Sequence, residues 1–228
     1  GISTDFICLE DGISRINMKI RSEVESEING LGPEISSEAI KKMFDRLDEL
    51  QEGDILVLAG SIPASMPESM YRDIMKRLAD RKLKIAVDAT KSLLLNVLPF
   101  HPFVIKPNNH ELGELFNVKI KSKDQAVEYA KKLQEMGAQN VIVSMAGEGA
   151  VFVGDDGSVF QSEAPKGTVV NSVGAGDSMV AGFVAGWIEK QDYEHAFRMG
   201  ISAGSASAFS ELLATEAEIR QVYASIEA

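Results

Sequence analysis

Cysteine is almost absent from the sequence, since Cys8 is the only one among 228 residues. A single cysteine excludes an internal disulfide and a cysteine-rich zinc site, and it favours a reducing compartment. The three histidines show no HExxH spacing, so we expect no transition-metal centre built by the protein. No apolar run reaches the roughly 18 residues of a membrane-spanning segment, and the first residues lack the features of a secretory signal. We therefore expect a cytoplasmic globular protein.

Positive charge is also scarce, because 23 Lys and Arg residues stand against 34 Asp and Glu residues, giving a net charge of −11. Binding to nucleic acid or to an anionic membrane depends on clustered cations, so neither partner is expected. A small anionic substrate stays compatible with this charge if a few cations gather locally. The positions of the cations are therefore informative.

Two nucleotide-binding motifs are missing as well. The sequence contains no GxxxxGK[ST] pattern, which excludes a P-loop kinase. No GxGxxG follows an early strand with an acidic residue downstream, which disfavours a dinucleotide-dependent oxidoreductase. Any nucleotide site must therefore use another type of loop.

Short apolar runs alternate with helical patterns along most of the chain, as in DILVLAG, PESMYRDIMKRLADRK, LKIAVDA and KSLLLNVL. This alternation predicts an α/β fold with a mostly parallel sheet flanked by helices on both faces, in one domain over residues 1–228. Residues 13–21 alternate strictly and predict a half-buried strand with Ile16, Met18 and Ile20 on one face. AVFVGDDGSVFQSE predicts a hairpin. Ligands of such sheets bind at loops that follow strands, so four of these loops are candidates.

The first candidate loop is NSVGAGDSM at residues 171–179, which we interpret as a strand entering a helix through a glycine turn. Free N–H groups at a helix start attract negative charge, and glycine permits tight backbone geometry. Asp177 has two interpretations, as a partner of the helix dipole or as a base that accepts a proton from a hydroxyl. Phosphoryl transfer needs both a base and donors for the transferred group, and this loop offers both.

The extended motif NSVGAGDSMVAGF resembles the C-terminal signature of the PfkB family of ribokinase-like sugar kinases. The resemblance implies a ribokinase-like fold with a small β lid at about residues 6–30. It also implies Mg²⁺ and ATP as cofactors and Asp177 as the catalytic base. Gly174, Ala175 and Gly176 would then form the turn that receives the transferred phosphoryl group.

Two further loops resemble nucleotide and metal motifs of that family. In IKPNNHEL, Asn108 and Glu111 resemble the NxxE motif associated with Mg²⁺, and Lys106 resembles a lysine near the nucleotide phosphates. From the residues alone, Asn108 and Glu111 are equally well explained as a reciprocal helix cap. The segment SMAGEGA resembles a nucleotide loop whose first glycine is replaced here, and its residues expected near ATP are Ser144, Ala146, Gly147 and Gly149.

Residues expected to bind sugar phosphate come from two other segments. AGSIP resembles a GSLP segment, which implies contacts from Gly60 and Ser61. An ordinary loop at the end of a strand explains the same Gly, Ser and Pro residues. SRIN resembles the start of a lid strand whose arginine contacts phosphate, which suits a planar guanidinium. Arg15 is thus the expected anchor, with Asn17, Lys19 and Arg21 on the same face, although a solvated outer face also explains that pattern.

The resemblance also implies a substrate and a limit. The lid segment favours kinases of ketose phosphates, with fructose 1-phosphate as the expected acceptor and tagatose 6-phosphate as the rival. The opening portion of the family, with its sugar-binding acid and GGKG-type loop, is missing from the sequence, so this segment alone is expected to have little activity. A non-catalytic sugar-phosphate sensor on the same fold stays open, although Asp177 is intact. A homodimer through the lid is also expected.

Overall fold

The computed structural model describes residues 2–20 and 26–226. Contacts along the chain divide it into two units, the first with residues 1–54 and 61–83 and the second with residues 55–60 and 84–228. Among the described residues, no helix has the length and apolar character needed to cross a membrane. The prediction of a single domain is not tested by this division.

The first unit contains two short strands and two helices. Strands β1 (Asn17–Ile20) and β2 (Ser26–Asn29) are antiparallel, and helices α1 (Ser37–Leu47) and α2 (Met70–Leu78) follow. Ser36 caps α1, because its hydroxyl accepts a hydrogen bond from the Ala39 N–H. The Asp48 carboxylate pairs with Arg77 and Arg81. These pairs lower the pKa of Asp48, and the hydrogen bond from Arg77 is the main cause.

Strand β1 differs from its prediction in length and in burial. It begins at Asn17 rather than at residue 13, and Arg21 lies outside the described residues. The predicted half-buried face is wrong, because Ile16, Met18 and Ile20 are 67%, 54% and 43% exposed, and Ile28 of β2 is 59% exposed. Alternation correctly identified one apolar face, but burial requires a partner surface that a two-stranded sheet does not supply.

The second unit is built on a six-stranded sheet with the strand order β3-β4-β5-β6-β7-β8. Its strands are β3 (Ile55–Ala59), β4 (Lys84–Asp88), β5 (Val104–Ile105), β6 (Asn140–Ser144), β7 (Ala150–Val153) and β8 (Val159–Ser162). Strands β3 to β6 are parallel, and β7 and β8 form the predicted hairpin. The central strands consist of continuous apolar residues because both faces of the sheet are covered.

Six helices complete the second unit within the described residues: α3 (Lys91–Val97), α4 (Asn109–Phe116), α5 (Lys123–Glu135), α6 (Ala175–Lys190), α7 (Tyr193–Phe209) and α8 (Glu216–Ile226). Phe152, Phe183 and Phe197 lie at the centre of the core. Helices α6 and α7 can pack closely because Gly182 has no side chain. A Cβ at that position would lie only 2.6 Å from the Ala203 Cβ. This packing fixes α6, whose first turn carries Asp177.

The segment before α6 is not the strand that we predicted. Residues 163–174 contain no strand, and the N–H groups of Val170 and Asn171 both donate to the Ala208 carbonyl at 2.8 and 3.1 Å. Gly167 lies against the Phe209 ring so closely that a Cβ would collide with it. The segment therefore lies along the end of α7 through backbone hydrogen bonds rather than in the sheet, and its valines are exposed.

Candidate active site

Helix α6 begins at a glycine turn that leaves the first helical turn open. Gly174 is the N-cap residue at φ +80° and ψ −4°, a left-handed conformation that favours glycine, and its position has no side-chain cap among the described residues. The N–H groups of a helix start that no side chain caps can bind an anion, assisted by the helix dipole. The turn predicted from Gly174, Ala175 and Gly176 is therefore present.

Asp177 occupies the first turn of α6, as predicted, and is exposed. Within the described residues its carboxylate makes no hydrogen bond and no ion pair. Its negative charge is close enough to Asp88 to help raise the pKa of that carboxyl. An accessible carboxylate without a bonded partner is what a proton acceptor requires.

Lys106 lies beside the same turn and is paired with an acid that we did not predict. The Lys106 side chain is buried at the end of β5, and its Nζ lies 3.2 Å from Oδ2 of Asp88 at the end of β4. Burial raises the pKa of the Asp88 carboxyl, the Lys106 ammonium opposes that rise, and Asp177 adds to it. A Cβ on Gly176 would lie 3.2 Å from the Lys106 Nζ, so the ammonium reaches the first turn of α6.

Asp88 could have been found from the sequence. It ends the apolar run LKIAVDA, and acids at the carboxyl ends of parallel strands lie at the ligand-binding edge of the sheet. Asp88 belongs to no glycine or amide motif, so the motifs in the loops did not predict it. The structure brings Asp88, Lys106, Gly176 and Asp177 together in the second unit.

Asn108 and Glu111 form the reciprocal cap that the sequence left open as an alternative. The Asn108 Oδ1 accepts from the N–H groups of His110 at 2.9 Å and Glu111 at 2.8 Å, and the Glu111 Oε2 accepts from the Asn108 N–H at 2.8 Å. No group of three or more His, Cys, Asp or Glu residues that could hold a metal occurs in residues 2–20 and 26–226. The metal role of this pair stays a prediction.

The SMAGEGA loop lies next to the Asn108 loop. The Ser144 N–H donates to the Pro107 carbonyl at 3.1 Å, and Gly149 adopts φ +89° with its Cα against Ser162, where a Cβ would collide. Ala146 adopts φ +48°, which costs a residue with a Cβ about 1 kcal/mol relative to glycine. A Cβ on Gly147 would meet open space. Contacts of this loop with a nucleotide stay predicted.

The predicted sugar-phosphate residues fall in both units. In the first unit, Nη1 of Arg15 donates to Oγ of Ser61 at 2.7 Å, so two residues 46 positions apart are in contact, while their role in binding phosphate stays a prediction. Asn17 is exposed on β1, while the Lys19 side chain lies outside the described part of the chain. Gly60 belongs to the second unit, where its N–H donates to the Asp88 carbonyl at 3.3 Å.

Comparison with known proteins adds independent findings. A model of the pfkB family of carbohydrate kinases matches residues 1–219. 1-Phosphofructokinase from Bacillus subtilis is 48% identical over 211 residues, which cover 92% of this chain and 69% of that protein. D-tagatose-1-phosphate kinase from Bacillus licheniformis is 35% identical over 227 residues, which cover 99% of this chain and 74% of that protein. The structure of Escherichia coli phosphofructokinase-2 in complex with substrates and products matches with a TM-score of 0.85 and 25% sequence identity. The match covers 93% of this chain and 71% of that structure's chain.

Proposed function

Because the chain belongs to the pfkB family of carbohydrate kinases, which use ATP to phosphorylate an alcohol group, we propose that its acceptor is the 6-hydroxyl of fructose 1-phosphate. The product is then fructose 1,6-bisphosphate. The exposed Asp177 beside an open helix start and a buried lysine carries this proposal, because phosphoryl transfer requires that combination. Identity of 48% to a 1-phosphofructokinase supports the choice of sugar.

In the proposed mechanism, Asp177 accepts the proton of the sugar hydroxyl as its oxygen attacks the γ-phosphorus of ATP, the bond from that phosphorus to the β–γ bridging oxygen breaks, and ADP leaves. The Ala175 N–H is bonded to the Ser172 carbonyl, so the N–H groups of Gly176 and Asp177, together with the Lys106 ammonium, stabilise the negative charge on the transferred group. Asp88 holds that ammonium against the first turn of α6. Positioning and charge stabilisation by residues that are already in place account for most of the rate in such reactions.

Arg15 and Ser61 bind the phosphate of the sugar in this proposal. Within the described residues the Arg15 guanidinium donates to Ser61 through Nη1, and a guanidinium has five donor hydrogens in a planar arrangement that suits a bidentate contact with phosphate oxygens. Asn17, Lys19 and Gly60 are assigned to the same substrate. The existing hydrogen bond orients the guanidinium before the phosphate binds.

Mg²⁺ is assigned to Asn108 and Glu111 with water molecules in between. The ion prefers oxygen ligands and keeps several waters while it bridges phosphates, so it does not need a cage of three acids. The reciprocal cap uses Oε2 of Glu111 and fixes the position of that carboxylate, and Oε1 takes no part in that bond. When bound, the metal would neutralise charge on the nucleotide phosphates. Ser144, Ala146, Gly147 and Gly149 are assigned to the nucleotide.

A second ketose phosphate is a specific alternative. The Bacillus licheniformis relative is named for tagatose 1-phosphate, and it covers more of this chain than the Bacillus subtilis relative does. A sensor that binds sugar phosphate without turnover is the alternative from another class, and the intact Asp177 argues against it. We also assign a homodimer to the exposed apolar face formed by Ile16, Met18, Ile20 and Ile28.

The test is ATP consumption by the full-length protein with fructose 1-phosphate, tagatose 1-phosphate, tagatose 6-phosphate, fructose 6-phosphate and ribose. We expect the highest kcat/KM with fructose 1-phosphate. Preference for another sugar would change the assigned substrate and leave the kinase activity supported. Binding of fructose 1-phosphate without turnover would favour the sensor. Sedimentation of the same sample, with Met18→Asp as the variant, checks the dimer.

A further inference from the structure

A buried hydroxyl in α7 links the first turn of α6 to the segment that follows α7. Ser207 is 2% exposed, and its Oγ donates to Oγ of Ser178 at 2.9 Å. The same Oγ accepts from the N–H of Ala214 at 3.1 Å. Ser178 follows Asp177 in sequence, and its N–H bonds to the Gly174 carbonyl at 2.8 Å. The proposed base therefore lies one residue from this relay.

Residues 210–214 are held against the glycine turn at other points too. The Asn171 side chain donates from Nδ2 to the Glu211 carbonyl at 3.3 Å, and its Oδ1 accepts from the Val173 N–H at 3.1 Å. Leu213 lies over Gly174, where a Cβ would be 2.7 Å from its Cδ2. Leu213 is nevertheless 65% exposed, so apolar packing contributes little to holding the segment. Polar contacts must therefore hold it in place.

A comparison within α7 shows that Ser207 is used in an unusual way. Ser202 is also fully buried in α7, and its hydroxyl donates to the Arg198 carbonyl of the same helix at 2.7 Å. That bond is the usual way to satisfy a buried serine in a helix. Ser207 instead reaches a neighbouring helix and a following loop. Its hydroxyl is thus used for a connection between elements rather than for its own helix.

We propose that Ser207 is a positioning residue for phosphoryl transfer, holding the first turn of α6 through Ser178 and holding residues 210–214 over Gly174 through Ala214. Ser207 touches no reacting atom. The inference rests on the proposed function and deepens it. A displacement of about 1 Å in a reacting group costs up to about 10²-fold in rate, so a relay of two hydrogen bonds is a sufficient device.

The test compares Ser207→Ala with Ser202→Ala, which removes an equally buried hydroxyl from the same helix. In the full-length protein with its preferred sugar, we expect Ser207→Ala to lower kcat about tenfold and to raise KM for ATP, with KM for sugar unchanged. Hydrogen exchange of the Ala214 amide should accelerate in the same variant. Ser202→Ala should change neither kcat nor that exchange rate. Ser207→Thr, which keeps the hydroxyl, should recover most of the lost rate.

Ser178→Ala breaks the relay from its less buried end and guards against a folding failure of the first variant. Combined with Ser207→Ala, it should cost little more than either single substitution, because both remove one interaction. Equal kcat and equal Ala214 exchange in Ser207→Ala and Ser202→Ala would overturn the positioning role and leave the kinase function intact. Absence of turnover in the unsubstituted protein would instead overturn the function on which the role depends.

Discussion

The two ends of helix α6 carry acids in opposite circumstances. At the start, Asp177 is exposed, and no side chain caps the turn before it. At the end, Glu189 bonds to Arg220 and to Nε2 of His195, the latter at 2.9 Å, and its pKa is lowered to about 2, with the Arg220 hydrogen bond as the main cause. An acid near a helix C-terminus is unfavourable to the helix dipole, so these partners offset that cost.

This difference separates a group available for chemistry from a group used for structure. Glu189 joins α6 to α7 through His195 and to α8 through Arg220, and the other ring nitrogen of His195 contacts the Tyr223 hydroxyl at 2.8 Å. Asp177 has no such bonds within the described residues and lies beside glycines. A perturbed pKa alone would therefore select the wrong acid of this helix.

The largest expected effect is on turnover. Asp177→Asn should lower kcat by about 10² to 10⁴, because it removes the proton acceptor while preserving shape, and KM should change little. Glu189→Gln should leave kcat unchanged at temperatures well below unfolding and should lower the melting temperature. Steady-state kinetics and thermal melts of the two variants check this pair. Equal losses of turnover in both variants would contradict the assigned roles.

Two glycines sharpen the same comparison. A Cβ on Gly176 would lie 3.2 Å from the flexible Lys106 Nζ, whereas a Cβ on Gly186 would lie 2.8 Å from the Ala196 Cα in the backbone. Gly176→Ala should raise KM for ATP several-fold, because the added methyl group displaces the Lys106 ammonium. It should not lower the melting temperature, because alanine favours the helix over glycine by about 1 kcal/mol. Gly186→Ala should lower the free energy of unfolding by about 1 to 3 kcal/mol, because the added methyl group would overpack the contact between α6 and α7. It should leave KM unchanged.

The paired measurements are KM for ATP and chemical unfolding in both glycine variants. A stable Gly186→Ala protein would mean that α6 and α7 can move apart without cost. A normal KM in Gly176→Ala would mean that the ammonium of Lys106 does not need its place at the turn. Either result would weaken the distinction between the open and the packed end of the helix.

Local patterns predicted most of the second unit because its elements have strong local signals. The run of strands and helices from Ile55 onward, the hairpin and the turn at Gly174 are all present. The predicted strand before Gly174 was wrong because the backbone of that segment bonds to the end of α7 instead of to the sheet, a contact that periodicity does not reveal. Family and fold were confirmed by comparison, whereas the roles of the site residues stay predictions.

The sequence could not predict relationships that depend on distant partners. Asp88 and Lys106 are 18 positions apart and pair because adjacent parallel strands end at the same edge. Ser207 and Ser178 meet because small residues let α6 and α7 pack closely. The exposure of Met18 depends on which surface covers β1, and alternation specifies only that the face is apolar.

The smallest expected effect concerns stability at acid pH. The pKa of Glu189 is lowered from its ordinary value of 4.5 to about 2, so its contribution is fully present above the unfolded pKa and is lost as pH falls through the folded pKa. The side chain is 34% exposed, so solvent screening limits that contribution to about 1 kcal/mol. Unfolding by urea at several pH values should show Glu189→Gln less stable at neutral pH, with the difference shrinking toward about pH 2. Other carboxylates with lowered pKa, such as Asp48 and Glu218, titrate in both proteins and cancel in that difference. A difference that stays constant with pH would mean that Glu189 acts through packing, and the contrast between the two ends of α6 would then concern shape rather than charge.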